Sequence, residues 1–167
     1  MKRTGFLILG VLLLTIDGAL CRVFNTEWIR PDPVLILTVY LAFRARSLEG
    51  VACVFILGVA AESFAATPPG MMMSAYILIW LAARWLRRFS MPGQTGVQLG
   101  ALFALSILSS LLMFVYLLAM DVAEGVLWIN LKAMLPLAVL HVILAIPVWA
   151  LARTIWPGGS RRSLEAA

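Results

Sequence analysis

The stretch that decides the fold is Pro31–Arg46, PDPVLILTVYLAFRAR, in which a proline-flanked turn leads into an apolar run that ends in two arginines. The apolar run, Val34 to Phe43, is too short to cross a bilayer alone, because the hydrocarbon core needs about 20 helical residues at roughly 1.5 Å each. We therefore expect this span to be buried by neighbouring helices, to thin the bilayer locally, or to use the stem of Arg44 for snorkelling.

Outward from this stretch, connections rich in Lys and Arg alternate along the chain with connections that contain few of them. All but three of the 13 Lys and Arg residues lie in alternate connections or near the chain ends: Lys2, Arg3, Arg44, Arg46, Arg84, Arg87, Arg88, Arg153, Arg161 and Arg162. Loops rich in Lys and Arg stay in the cytoplasm. The pattern predicts six spans with both termini inside the cell.

Composition favours the same class. Hydrophobic residues make up 63% of the chain and charged residues 13%, against about 45–50% and about 25% in soluble domains. We predict an all-α integral membrane protein with one six-helix domain, 1–160, and a short cytoplasmic tail, 161–167. The net charge of +5 suits anionic lipid at the inner membrane face, and nucleic acid is not expected as a partner.

The predicted spans are 5–24, 34–43, 48–66, 71–86, 97–120 and 131–156, with 121–130 as an outer connection before the last span. The first run could be read as a signal peptide. Asp17, Cys21 and Arg22 follow it where a small-residue cleavage site would lie, so we expect a retained helix.

Carboxylates within spans are costly and usually have a partner. Asp17, Glu62 and Asp121 all fall in the predicted outer third of the membrane, with Arg22 and Lys132 at similar depth. This shared depth leaves two interpretations open. The acids line an outward-facing polar cavity that takes a ligand or a partner, or they form an ion-paired cluster that braces the helices.

Residues for catalysis are sparse. The sequence contains no HExxH, GxSxG, glycine-rich phosphate loop or Cys/His metal cluster, and its one histidine, His141, cannot build a metal site alone. His141 is either a neutral imidazole bonded to a neighbouring helix or part of a functional polar spot. We expect no enzymatic activity, no cofactor and no metal.

The middle of the chain resembles the bacterial rod shape-determining protein MreD family over roughly Pro31 to Phe89. The resemblance is carried by YLAFR at Tyr40, LEG ending at Gly50, Gly58 with an acid at Glu62, PPG at Pro69 and Gly70, and the arginine-rich run ending at Arg88. The family more often has Asp at the position of Glu62, and Leu at the position of Pro69.

The resemblance implies a non-enzymatic scaffold of the cell-elongation complex that helps regulate peptidoglycan synthesis. The implied partners are MreC, then RodA and the class B penicillin-binding protein, directly or through MreC, with MreB at the cytoplasmic face and membrane lipid around the helices. The MreD fold is also similar to the S-component of energy-coupling-factor vitamin transporters. That similarity keeps a substrate-binding transporter subunit as the alternative, with lid loops at 21–33 and 121–132.

Overall fold

Helices account for nearly all of the chain that the computed structural model describes. The described residues are 2–24, 31–45, 47–65, 68–89, 95–120 and 124–155, without the side chains at 2–3, 20–24, 47 and 124. Within them lie α1 (Lys2–Phe24), α2 (Pro33–Arg44), α3 (Ser47–Ala65), α4 (Met71–Arg87), α5 (Thr95–Ala119) and α6 (Glu124–Ile155). Three of these helices, α3, α5 and α6, are long and apolar enough to cross a membrane. The all-α class is confirmed, and the apolar helices indicate a membrane protein.

The short helix α2 is the centre of the bundle. Every residue from Pro33 to Phe43 is buried, and α2 contacts each of the other five helices. Its 12 residues extend only about 18 Å, well below the roughly 30 Å of a hydrocarbon core. A helix that is apolar all round must be covered all round. Of the three arrangements expected for this span, the structure shows burial by neighbours.

Successive helices alternate in direction. Late residues of α1, α3 and α5 meet early residues of α2, α4 and α6 around one shared cavity. We call this side of the bundle the Asp32 end. The opposite side, where α2 and α4 finish at Arg44 and Arg87, is the arginine end.

The α3–α4 hairpin is held by residues of the family resemblance. A Cβ at Gly58 would lie 3.0 Å from Cα of Met73, so the two helix backbones approach too closely for a side chain. Gly70 precedes α4 with φ of 90° and provides no side-chain cap. Glu62 on α3 takes over that role, because its Oε1 accepts the backbone N–H of Met73 at 2.9 Å.

At the arginine end, α4 caps the last turn of α2. The final carbonyl groups of a helix have no partner within it and carry its negative dipole end. Nη1 of Arg84 donates to the carbonyl oxygen of Ala45 at 3.1 Å. Nη1 of Arg87 donates to the carbonyl oxygen of Ala42 at 3.3 Å. The basic residues that predict topology therefore also terminate the central helix.

The first five helices agree with the predicted spans to within a few residues, but α6 does not. It begins at Glu124, so the predicted outer connection 121–130 is wrong over 124–130. The apolar run Val126–Ile129 continues the helix, and Gly125 alone is not enough to break it. The second lid loop expected for a transporter subunit is consequently mostly helical.

Large apolar side chains cover the outside of the long helices. Val115 on α5 and Ile143 and Ile146 on α6 are more than half exposed. Exposed apolar surface on this scale is unusual in water and ordinary against lipid chains. Trp85 and Trp128 are also exposed, as expected for tryptophans at a membrane interface.

Candidate functional site

A cavity of about 230 Å³ lies at the Asp32 end, with side chains from all six helices around it. An apolar cavity of about 150 Å³ holds one benzene, so this one holds roughly ten non-hydrogen atoms. Its polar lining residues are Asp17, Asp32, Tyr76, Ser106, Ser109, Ser110, Asn130 and His141.

Asp32 is the hub of the hydrogen bonds around the cavity. It is the N-cap of α2, and its Oδ1 accepts the backbone N–H groups of Val34 and Leu35 at 3.0 and 3.1 Å. Its Oδ2 accepts the hydroxyl proton of Tyr76 at 2.6 Å. Asp at the N-cap followed by Pro33 at the first helical position is a strong start signal for a helix. The same carboxylate therefore begins α2 and ties it to α4.

His141 joins α6 to both α2 and α5. The backbone N–H of Asp32 donates to Nε2 of His141 at 2.8 Å, so Nε2 carries a lone pair and no proton. In the neutral ring the proton is then on Nδ1, which lies 2.6 Å from Oγ of Ser106 and donates to it. The ring is bonded to neighbouring helices, as the first interpretation of His141 expects, and it also lines the cavity, which leaves a role in a functional polar spot open.

The pairing of Ser106 with His141 resembles a nucleophile with its base, but the proton is on the wrong atom. A base that activates serine must present a lone pair to the hydroxyl. Here the Nδ1 atom that faces Ser106 bears the proton, because the Asp32 amide occupies Nε2. This geometry fixes the tautomer and orients the ring, and it does not suit removal of the serine proton.

The predicted cavity residues fall into two groups. Asp17 is buried and lines the cavity, as does His141. Glu62 does not line the cavity and is instead bonded to Met73 at the start of α4. The expectation that Asp17 and Glu62 face one cavity is therefore corrected. Ala61 and Ala65 occupy the cavity face of α3.

Other predicted residues lie elsewhere. Asp121 and the side chain of Arg22 are outside the described part of the chain. Lys132 is exposed and does not line the cavity.

The remaining residues of the family resemblance shape the packing. The ring of Tyr40 is buried between Phe6 and Trp149, with centroids 6.2 and 6.4 Å away. A Cβ at Gly50 would lie 3.1 Å from Nε1 of Trp80. Pro69, which is exposed, and Gly70, which is half-buried, form the turn before α4.

Sequence reasoning missed Asp32 and Tyr76 as members of the site. The Pro31-Asp32-Pro33 stretch predicts a proline-flanked turn, but Asp directly before Pro is also an N-cap signal. Ser106 and Ser110 are four residues apart in the sequence, a spacing that places both on one face of α5. That face is the one toward the cavity.

Among the described residues, no group of three His, Cys, Asp or Glu side chains is arranged to hold a metal ion. No protein-family model, curated protein or solved structure matches the chain.

Proposed function

We propose that the chain is a non-enzymatic scaffold of the bacterial cell-elongation machinery in the inner membrane, similar in role to MreD. One observation carries the proposal. Gly58, Glu62 and Gly70, which belong to the stretch that resembles the family, act together as one unit that fixes α3 against α4. A resemblance made of packing residues suits a protein that holds partners in place.

The proposal includes six spans with both termini in the cytoplasm. It is supported by the alternating helix directions, which bring Arg44, Arg84, Arg87 and Arg153 to the same end of the bundle. Lysine and arginine are retained on the cytoplasmic side.

Cysteine labelling tests this topology in a background without Cys21 and Cys53. Cysteines at Glu27 and Thr67 should react with an impermeant thiol reagent in intact cells, whereas cysteines at Ser47 and Gln94 should react only after lysis. If the cysteine at Ser47 were labelled in intact cells, the orientation of the chain would be the opposite of the one proposed.

MreC is the proposed direct partner, and RodA and the class B penicillin-binding protein associate directly or through MreC. MreB is the proposed partner at the cytoplasmic face. Crosslinking in membranes, mild solubilisation and identification of co-purifying proteins tests the assignment. MreC should be captured, and deletion of the gene should round the cell. Retained rod shape with no captured MreC contradicts the scaffold.

Variants at Glu62 test whether the packing of α3 against α4 is needed for binding of MreC. Glu62→Leu removes the acceptor from the Met73 amide and should destabilise the fold by about 2 kcal/mol, with loss of MreC co-purification. Glu62→Gln keeps an acceptor and should be milder. Glu27→Leu, in the predicted aqueous loop, is the control and should cost less than about 0.5 kcal/mol. If Glu62→Leu gave the folded yield of the wild type and still captured MreC, the α3–α4 hairpin would no longer support the scaffold proposal.

The alternative function is the substrate-binding subunit of an energy-coupling-factor vitamin transporter. The cavity at the Asp32 end favours it, because side chains from all six helices line it and every helix except α3 contributes a polar group. The helix over 124–130 counts against it, because that segment is no longer a loop that can close over a ligand. Neighbouring genes discriminate the two: MreC and a penicillin-binding protein indicate the scaffold, and ATPase subunits indicate the transporter.

A further inference from the structure

Guanidinium groups from three helices gather around the last turn of α2 at the arginine end. They are Arg44 on α2, Arg84 and Arg87 on α4, and Arg153 on α6. Arg44 and Arg84 are both near enough to Arg87 to act electrostatically on its charge. Arg44 and Arg153 act in the same way on the phenol of Tyr40, and Cζ of Arg44 lies 6.0 Å from the centroid of that ring. We call these four residues the arginine cluster.

The positive charge at this end exceeds the negative charge in the sequence itself. Like charges that lie close together repel each other unless acids or bound anions compensate for them. In the predicted topology, this end receives all but three of the 13 Lys and Arg residues, but only Glu49 and Glu165 of the 8 acids. The excess therefore does not depend on where the residues outside the described ranges lie. Retention of Lys and Arg in the cytoplasm explains the sign of this charge, but it does not require arginines from three helices to converge.

Several N–H donors of the arginine cluster are available to an anion. A guanidinium group has five N–H donors, and the described hydrogen bond of Arg87 to the carbonyl oxygen of Ala42 uses one of them. Within the described residues, the guanidinium groups of Arg44 and Arg153 have no hydrogen-bond acceptor. Phosphate oxygens are strong acceptors that often take two N–H groups from one arginine. The cluster thus offers the donors that a phosphate group uses.

The face of α6 that carries Arg153 is apolar and exposed. Val139, Ile143 and Ile146 precede Arg153 at intervals of four, three and seven residues, which place all four side chains on one side of the helix. The three apolar side chains are each at least half exposed, and Arg153 is exposed as well. A lipid whose acyl chains lie along this face has its headgroup at the level of Arg153.

We propose that the arginine cluster binds the phosphate group of an anionic phospholipid such as phosphatidylglycerol. The phosphate lies against Arg44 and Arg153, and the acyl chains lie along the exposed apolar face of α6. Basic pockets between transmembrane helices bind anionic lipid headgroups in this way. The inference requires neither MreC nor a particular orientation in the membrane, so it stands apart from the proposed function.

Thermal unfolding of the purified full chain in a non-ionic detergent tests the requirement for an anionic lipid. Phosphatidylglycerol is the probe, phosphatidylcholine is the control without net charge, and glycerol 1-phosphate is the control without acyl chains. A ligand that binds the folded state raises its melting temperature. We expect a rise with phosphatidylglycerol that becomes smaller at high salt, and little change with either control.

Each other outcome contradicts part of the proposal. An equal rise with phosphatidylcholine would overturn the need for an anionic headgroup. An equal rise with glycerol 1-phosphate would overturn the assignment to a lipid, and no rise with phosphatidylglycerol would overturn the site altogether.

Charge-removing variants locate the site. Arg44→Gln and Arg153→Gln should each weaken phosphatidylglycerol binding about fivefold, the factor for one basic residue near an anionic surface. Neither residue donates to the last carbonyl groups of α2, which are bound by arginines of α4, so both variants should fold. Their melting temperatures without lipid check this, and binding is measured as the shift from each variant's own value.

Lys132→Gln is the matched control for Arg153→Gln. It removes the same charge from an exposed side chain of the same helix, but at the Asp32 end, and its lipid binding should be unchanged. Equal losses in all three variants would show that binding follows net charge, and would overturn the site. Wild-type binding by both arginine variants would overturn it as well.

Discussion

The two ends of α2 are held by opposite means. At its start, Asp32 caps its own helix, and the same carboxylate and its backbone amide bind Tyr76 and His141. At its finish, α2 contributes only carbonyl oxygens, and Arg84 and Arg87 reach across from α4 to bind them. A cavity adjoins the first end.

This difference concerns what the charged groups at each end contact. The arginines complement the dipole of α2 through its last carbonyl groups. The carboxylate of Asp32 satisfies the helix and still faces a space large enough for a small molecule. The same central helix therefore has one end covered by arginines and one end that adjoins a cavity.

The largest effect on the free energy of unfolding is expected at the Asp32 end. Asp32→Ala removes the N-cap of α2 and leaves the Tyr76 hydroxyl without its acceptor, and should lower the free energy of unfolding by about 3 kcal/mol. Asp32→Asn, which keeps a capping oxygen, should lose about 1 kcal/mol. Unfolding in mixed micelles measures both. Equal losses in the two variants would mean that the charge, and not the cap, holds this end.

A smaller loss is expected at the arginine end. Arg84→Ala and Arg87→Ala should each lower the free energy of unfolding by about 1 kcal/mol, because each exposes a terminal carbonyl of α2 and removes a favourable charge from its dipole. Arg88→Ala is the control, since Arg88 is exposed beyond the helix end, and it should change stability by less than about 0.5 kcal/mol. The proposed difference between the two ends is wrong if Arg84→Ala or Arg87→Ala lowers the free energy of unfolding more than Asp32→Ala does.

The smallest effect on the free energy of unfolding is expected at the middle of α2, and there it should be neutral or stabilising. Thr38 is fully buried, and its hydroxyl has no hydrogen-bond partner within the described residues. Thr38→Val replaces this hydroxyl by a methyl group and should leave stability unchanged or raise it by about 1 kcal/mol. A clear loss of stability in the same unfolding assay would show that the Thr38 hydroxyl makes a stabilising hydrogen bond. The helix α2 would then be held along its length as well as at its ends.

The central position of α2 follows from features visible in the sequence. The run Val34 to Phe43 is apolar on every side and too short to span, so burial by neighbours is one of few arrangements open to it. The polar partners of Asp32 could not be derived in the same way. Tyr76 and His141 are remote along the chain, and only the tertiary fold brings them together.

The case of Glu62 shows a second limit. Depth along a helix follows from counting residues, and both Asp17 and Glu62 lie toward the Asp32 end. The direction in which a side chain points changes by about 100° per residue, so a small error in helix rotation moves a side chain off a cavity. Ala61 faces the cavity, whereas Glu62 reaches the start of α4.

The length of α2 also bears on how the chain enters a membrane during synthesis. About 18 Å of helix cannot settle across a bilayer as an independent segment, and the groups that hold it, Arg84, Arg87 and His141, are made later. We therefore expect α2 to reach its final position only after α4 and α6 have been synthesised, so that its placement depends on tertiary contacts with later helices.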